Sequence, residues 1–128
     1  MGVVEDHKNL FEDVGSACIA HEDLHQHNIL FENRRGNWQL AAVLDFDKAW
    51  AGHHEIDLAR LEFWRGMTNS DFWEAYQATH QVDAQYRYRQ PVYQLLWCLE
   101  FARNTAEHIR DTQRLFKEHG FPCPQSFD

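Results

Sequence analysis

Positive charge is what this chain has least of. Twelve Lys and Arg stand against twenty Asp and Glu, a formal net charge of -8. The only basic clusters are Arg34-Arg35 and the pair Arg87 and Arg89. A nucleic-acid partner calls for a basic stripe, so no nucleic-acid partner is expected. An acidic surface attracts cationic small molecules instead. Also missing is an apolar run of about 18 residues, the length needed to span a bilayer, so no membrane association is expected. Glu5, Asp6 and Lys8 interrupt the start where a secretory leader would be apolar. Three cysteines (Cys18, Cys98, Cys123) lie far apart with no C-x-x-C spacing. That argues against a disulfide framework or a structural zinc knuckle and suits a reducing cytoplasm, the expected location. Repeats, low-complexity tracts and linkers are absent, so residues 1–128 read as a single domain. Five Trp and nine Phe favour a packed interior over disorder.

The pattern of apolar residues predicts a mainly α fold with a small β-hairpin (α+β). Residues 5–14 read as a short helix ended by Gly15. Residues 17–20 read as a strand running into a polar loop. Ile29–Glu32 and Trp38–Phe46 form a hairpin about the turn Asn33-Arg34-Arg35-Gly36. After Gly52 the character is helical. Leu58, Leu61 and Trp64 share one face of a helix closed by Gly66. A second helix over 71–82, capped by Asn69 or Ser70, has Phe72, Trp73, Tyr76 and Thr79 inward. Pro91 suits the first turn of a long helix that runs to about His119, either unbroken or in two pieces parted near Arg110, before Gly120 and Pro122 stop it. Trp64, Trp73 and Trp97 are core candidates.

The informative stretch is His21-Glu22-Asp23-Leu24-His25-Gln26-His27-Asn28-Ile29-Leu30, followed by Leu44-Asp45-Phe46-Asp47. Phosphoryl transfer needs a carboxylate that accepts or orients the acceptor's hydroxyl proton, and oxygen ligands for Mg²⁺. Asp23 suits the first task; Asn28 and Asp45 suit the second. The hairpin has Asn28 at its entry and Asp45 at its exit, so residues seventeen apart in sequence meet at one end of a ladder.

HEDLHQHNIL followed by VLDFDKAWAGHHEIDLARL resembles the catalytic segment of the aminoglycoside phosphotransferase and choline-kinase-like family, small-molecule relatives of protein kinases. The family pattern is roughly H-G-D-L-H-x-x-N, then hydrophobic-D-[FW]-[DE], then G-[DH]-P-x-x-D-L-A. The resemblance implies Asp23 as catalytic base, Asn28 and Asp45 as Mg²⁺ ligands, and ATP or GTP as donor. It implies His21 as the loop-stabilising histidine. Asp57 becomes the buried carboxylate that opens a helix and braces the loop, and Asp47 a supporting acid. The match is close from Ala17 to Trp64 and only architectural beyond. Glu22 departs from the preferred Gly, Gln26 and His27 from Pro and Gly, and His53-His54 from Asp-Pro. Only twenty residues precede His21, too few for a nucleotide-covering lobe. Neither Lys8 nor Lys48 follows a Gly-rich loop. The expectation is a kinase-like C-terminal lobe lacking its N-terminal partner, with autonomous activity doubtful on that account.

Two functional classes follow. One is an O-phosphotransferase whose acceptor hydroxyl belongs to an aminoglycoside, amino sugar or choline-like compound. The other is a truncated, non-catalytic remnant that associates through the exposed inter-lobe face, as a homodimer or with a partner chain. A zinc or di-metal reading of His21, Asp23, His25 and His27, or of His53, His54 and Glu55, has the right ligand types. It leaves Leu24 and Asn28 unexplained. His80, His108 and His119 read as solvated. Tyr86–Tyr93 could line an acceptor pocket or pack as a loop.

Overall fold

The computed structural model describes residues 2–12, 14, 15, 17–64, 67–100 and 105–121. In chain order the elements are α1 (Val3–His7), a 3-10 turn (Lys8–Phe11), β1 (Cys18–Ala20), β2 (Ile29–Arg34), β3 (Asn37–Val43), β4 (Trp50–Gly52), α2 (Glu55–Phe63), α3 (Ser70–Gln77), α4 (Tyr86–Glu100) and α5 (Ala106–His119). The mainly α class with a small hairpin holds. The chain divides into two compact units, Gly15–Val82 and Met1–Val14 with Asp83–Asp128. None of the described helices is long and apolar enough to cross a membrane.

The unit Gly15–Val82 contains two antiparallel pairs, β2 with β3 and β1 with β4. The β2–β3 hairpin turns on two residues alone, because Arg34 pairs with Asn37. Arg35 and Gly36 take φ of 55° and 87°, the positive values that a tight primed turn demands. The Asn33 side chain accepts the Gly36 N–H at 2.9 Å and fixes the turn. Lower down, Leu30 pairs with Ala42 but Phe31 pairs with Leu40, so Ala41 is an extra residue in β3. Phe31, Leu40 and Trp38 then share one face and are 61%, 59% and 71% exposed.

β1 pairs with β4 through Cys18 and Gly52, Ile19 and Ala51, Ala20 and Trp50. The strand expected at residues 17–20 is therefore present, whereas β4 has no sequence signal: three residues are too few to show a period. Gly52 is small by necessity, since a Cβ there would lie 3.1 Å from that of Ala20 and 2.9 Å from the Trp50 ring. In α2 the buried residues are Glu55, Leu58, Ala59, Arg60 and Leu61. Trp64 stands at its C-cap, half-buried, and the expected stop at Gly66 lies outside the described residues. Asn69 caps α3 by accepting the Phe72 N–H at 2.8 Å. That helix ends at Gln77 rather than near 82, leaving Thr79 outside it and exposed.

In the other unit, α4 begins at Tyr86, five residues before Pro91, which sits inside the helix and not in its first turn. Asp83 explains the early start. Its Oδ1 accepts the Gln85 N–H and its carbonyl accepts that of Tyr86. Its other carboxylate oxygen pairs at 3.1 Å with buried Arg89, whose Nη1 also donates to the Leu10 carbonyl. The Tyr86–Tyr93 stretch is thus helix. Together with α1, it lines a cavity of about 530 Å³ between Asp6, His7, Arg87 and Tyr88. The expected long helix is two, broken before Ala106 and not near Arg110. Thr105 accepts the His108 N–H to cap α5, and Gly120 closes it at φ 66°. Ala102, Pro122 and Cys123 lie outside the described residues. His108 is not merely solvated: its Nε2 donates to the Cys98 carbonyl at 3.0 Å. Burial pushes the Cys98 thiol above its ordinary pKa, which keeps it protonated and unreactive.

The buried apolar set is largely aliphatic: Ala20, Leu58, Ala59 and Leu61 in one unit, with Val92, Leu95, Cys98 and Leu115 in the other joined by Tyr86 and Phe116. The three tryptophans expected in the core are half-buried instead. Helical period assigns a residue to a face but does not say how completely that face is covered.

Gly52→Ala is expected to destabilise the chain by about 1–2 kcal/mol, because the added methyl must displace Trp50 and crowd Ala20. Urea unfolding followed by tryptophan fluorescence measures this, and an unchanged midpoint would contradict the close packing.

Candidate active site

The loop between β1 and β2 is held from below by one side chain. The Asp57 carboxylate, in the first turn of α2, accepts the His21 N–H and the Glu22 N–H, each at 2.8 Å. A carboxylate taking two backbone donors satisfies both oxygens and fixes two successive peptides. Glu22, the second of these, has φ 63°, a left-handed conformation that strains any residue with a Cβ. Gly, which the resembling pattern has at this position, takes that conformation without strain.

His21 spans the loop. It is buried, its Nδ1 accepts the Asp23 N–H at 3.2 Å, and its Nε2 donates to the Leu44 carbonyl at 2.8 Å. These two bonds require the neutral tautomer with hydrogen on Nε2. The ring also packs on Phe46 at a centroid distance of 4.5 Å. One imidazole thereby ties the peptide of Asp23 to the peptide preceding Asp45.

Asn28 enters β2 with its backbone engaged on both sides. Its N–H donates to the His25 carbonyl and its own carbonyl accepts from Leu44. Its Nδ2 donates to the Asp23 carbonyl at 2.9 Å. The amide nitrogen is thus committed to the loop, and Oδ1 takes no hydrogen bond among the described residues. Asp45 follows immediately after the Leu44–Asn28 bond, exposed and at φ 63°. Asp is among the residues that tolerate this conformation, and such strain gathers at functional sites. The structure therefore brings Asn28 and Asp45 to the same end of the hairpin. Asp47 is exposed two residues further on.

Asp23 has a neighbour that the sequence did not reveal. Arg60, its side chain 3% exposed, places Nη1 3.7 Å from Asp23 Oδ1. The His25 ring approaches the other oxygen, Nε2 to Oδ2, at 3.7 Å. Arg60 lies one turn after Asp57, so a single face of α2 presents a carboxylate to the loop's backbone and a guanidinium to its carboxylate. The spacing Asp57-x-x-Arg60 was the available signal. An arginine inside a helix ordinarily reads as solvated, which hid it.

A protein-family model described as fructosamine kinase matches residues 2–119. The chain belongs to the fructosamine kinase family. Neither a curated protein nor a solved structure matches it. Fructosamine kinases are protein-kinase-like phosphotransferases, so the kinase resemblance of the loop holds at that level. The motif residues His21 to Asn28 and Asp45 all lie inside the fructosamine kinase match.

Asp57→Ala removes the acceptor of two charge-assisted hydrogen bonds and is expected to cost roughly 3–5 kcal/mol in chemical denaturation. Glu22→Gly, which relieves the left-handed strain and keeps the Glu22 N–H, is expected to add about 0.5–1 kcal/mol. A loss of stability in Glu22→Gly would show that the Glu22 side chain matters more than its backbone.

Proposed function

We propose that the chain carries the catalytic-loop segment of a small-molecule O-phosphotransferase, with ATP or GTP as donor. The acceptor is a hydroxyl on an amino-substituted sugar, the class that the family's description denotes. Aminoglycosides and choline-like compounds are the neighbouring possibilities. One observation supports this reading above the others. His21 joins the peptide of the base candidate to the peptide beside the metal-ligand candidate, so Asp23, Asn28 and Asp45 are set as a unit.

The donor set fits Mg²⁺, a hard cation that takes carboxylate and amide oxygens. Asn28 presents Oδ1 because its nitrogen is used by the loop, and Asp45 presents an exposed carboxylate. The ion, held there with donor phosphates, would neutralise their negative charge. The remaining work falls to the chain's own groups. As the acceptor oxygen bonds to the donor's γ-phosphorus and the bond from that phosphorus to the bridging oxygen breaks, releasing the nucleoside diphosphate, the Asp23 carboxylate receives the hydroxyl proton. Arg60 and His25 each stand 3.7 Å from one oxygen of that carboxylate, and the Asn28 amide donates to its peptide carbonyl. Asp57 fixes the peptides of His21 and Glu22. Positioning of this kind supplies most of the catalysis in phosphoryl transfer.

A second reading has its own support. Phe31, Trp38 and Leu40 form an exposed apolar face on the hairpin whose far end holds Asn28 and Asp45. A homodimer or partner chain covering that face would make the chain an association module, with or without turnover.

Calorimetric titration with MgATP tests the first reading. The wild type is expected to bind in a metal-dependent way, and Asp45→Asn to weaken binding at least about tenfold. ADP release on adding a fructosamine acceptor to the same mixture would show turnover by the chain itself. A folded wild type that gives no heat with MgATP sinks the phosphotransferase reading for this chain. Sedimentation velocity tests the second, with Leu40→Glu expected to turn a dimer into a monomer. A monomeric wild type at high concentration removes the self-association reading.

A further inference from the structure

A second cluster of ligand-type side chains lies away from the Asp23 loop, where β4 gives way to α2. His53, His54 and Glu55 each offer one ligand atom, and the three atoms lie within 4.8 Å of one another. Glu55 is 0% exposed, the most deeply buried carboxylate among the described residues. His53 Nδ1 stands 3.5 Å from Glu55 Oε2. That is long for a charge-assisted hydrogen bond, which closes to about 2.7–2.9 Å. It matches the edge of about 3.4 Å between an imidazole nitrogen and a carboxylate oxygen bound to one tetrahedral zinc ion at roughly 2.0–2.2 Å each.

The second imidazole is already oriented. The His53 and His54 ring centroids are 4.6 Å apart. His54 Nδ1 is 2.7 Å from the Tyr76 hydroxyl oxygen, which leaves Nε2 as the nitrogen available to an ion. A ligand histidine braced through its other nitrogen is the usual outer support of a metal site. Tyr76 is itself positioned by stacking against Phe72 and His80 on α3 and just beyond it. His54 is also the N-cap of α2, where the helix dipole amounts to about half a positive charge.

We propose that His53, His54 and Glu55 bind a divalent transition metal, zinc fitting best, at the junction of β4 and α2. Two imidazoles and one carboxylate make a three-ligand set with a fourth position for water. The nitrogen-rich donors separate it from the all-oxygen pair Asn28 and Asp45. The ion takes the place of the direct His53–Glu55 contact. Asp57 lies two residues beyond Glu55, so a metal here pins the turn of helix that carries the loop's brace. The proposal stands on different residues from the phosphotransferase reading and survives that reading's failure.

The test uses the full chain after chelator treatment, titrated with Zn²⁺ alone against a chromogenic competitor. A single tight equivalent is expected. His53→Gln and His54→Gln should each weaken it at least about tenfold, and Tyr76→Phe by roughly tenfold. Asp45→Asn and the double change His25→Gln with His27→Gln should leave it unaltered. Circular dichroism shows whether each variant is folded. Should a variant fail to fold, X-ray absorption on the zinc-loaded wild type decides alone, with two imidazoles and oxygen expected in the first shell. Absence of a stoichiometric site overturns the proposal. So does loss of binding in the Asp45 or His25/His27 variants, or a first shell without the imidazole pair.

Discussion

The arrangement of the loop rests on the Asp57 carboxylate and the two N–H groups above it. Hydrogen bonds to a charged acceptor contribute about 1.5–3 kcal/mol each, a sizeable share of a small domain's net stability. Their value here is positional more than energetic. With the peptides of His21 and Glu22 fixed, the His21 ring can reach only one way, toward the Asp23 N–H on one side and the Leu44 carbonyl on the other. The peptides of Asp23 and Leu44 are both set by that ring. The brace is also why Glu22 tolerates a left-handed backbone: strain of that size persists where surrounding bonds over-determine the conformation.

How much of this is legible in the chain of letters depends on the kind of signal. The hairpin is readable because alternating apolar residues flank a turn at Arg35-Gly36, and its existence alone places Asn28 and Asp45 together. Asp57 is legible only through resemblance, since no period or propensity distinguishes it from another acid in the first turn of a helix. Arg60 is not legible as a neighbour of Asp23, because a cation on a helix is read as solvated unless something buries it. The β4 strand is too short to carry a pattern. Pro91 misleads in a simple way. It favours a first turn, but the turn held by Asp83 starts α4 earlier, and buried Arg89 ties that first turn to Asp83 and to the Leu10 carbonyl.

The chain thus combines a shared inheritance with local variation. Membership of the fructosamine kinase family accounts for the order of the motif and the fold around it. The residues that depart from the kinase-like pattern stand at two distinct places in the unit Gly15–Val82. Glu22 occupies a strained position, and His53-His54 replaces a dipeptide that could not coordinate a metal as two imidazoles do. The same short helix, α2, serves both neighbourhoods, with Glu55 at its start, Asp57 beneath the loop and Arg60 beside Asp23.

The extra residue at Ala41 divides the hairpin into two phases. Below it, the pairs Ile29–Val43 and Leu30–Ala42 set the separation of the ends that lead to Asn28 and Asp45. Above it, the ladder runs in its own register to the Arg35-Gly36 turn. The hairpin therefore has two separately registered halves: the pairing that spaces Asn28 and Asp45 is set below the bulge, and the apolar face of Phe31, Trp38 and Leu40 above it.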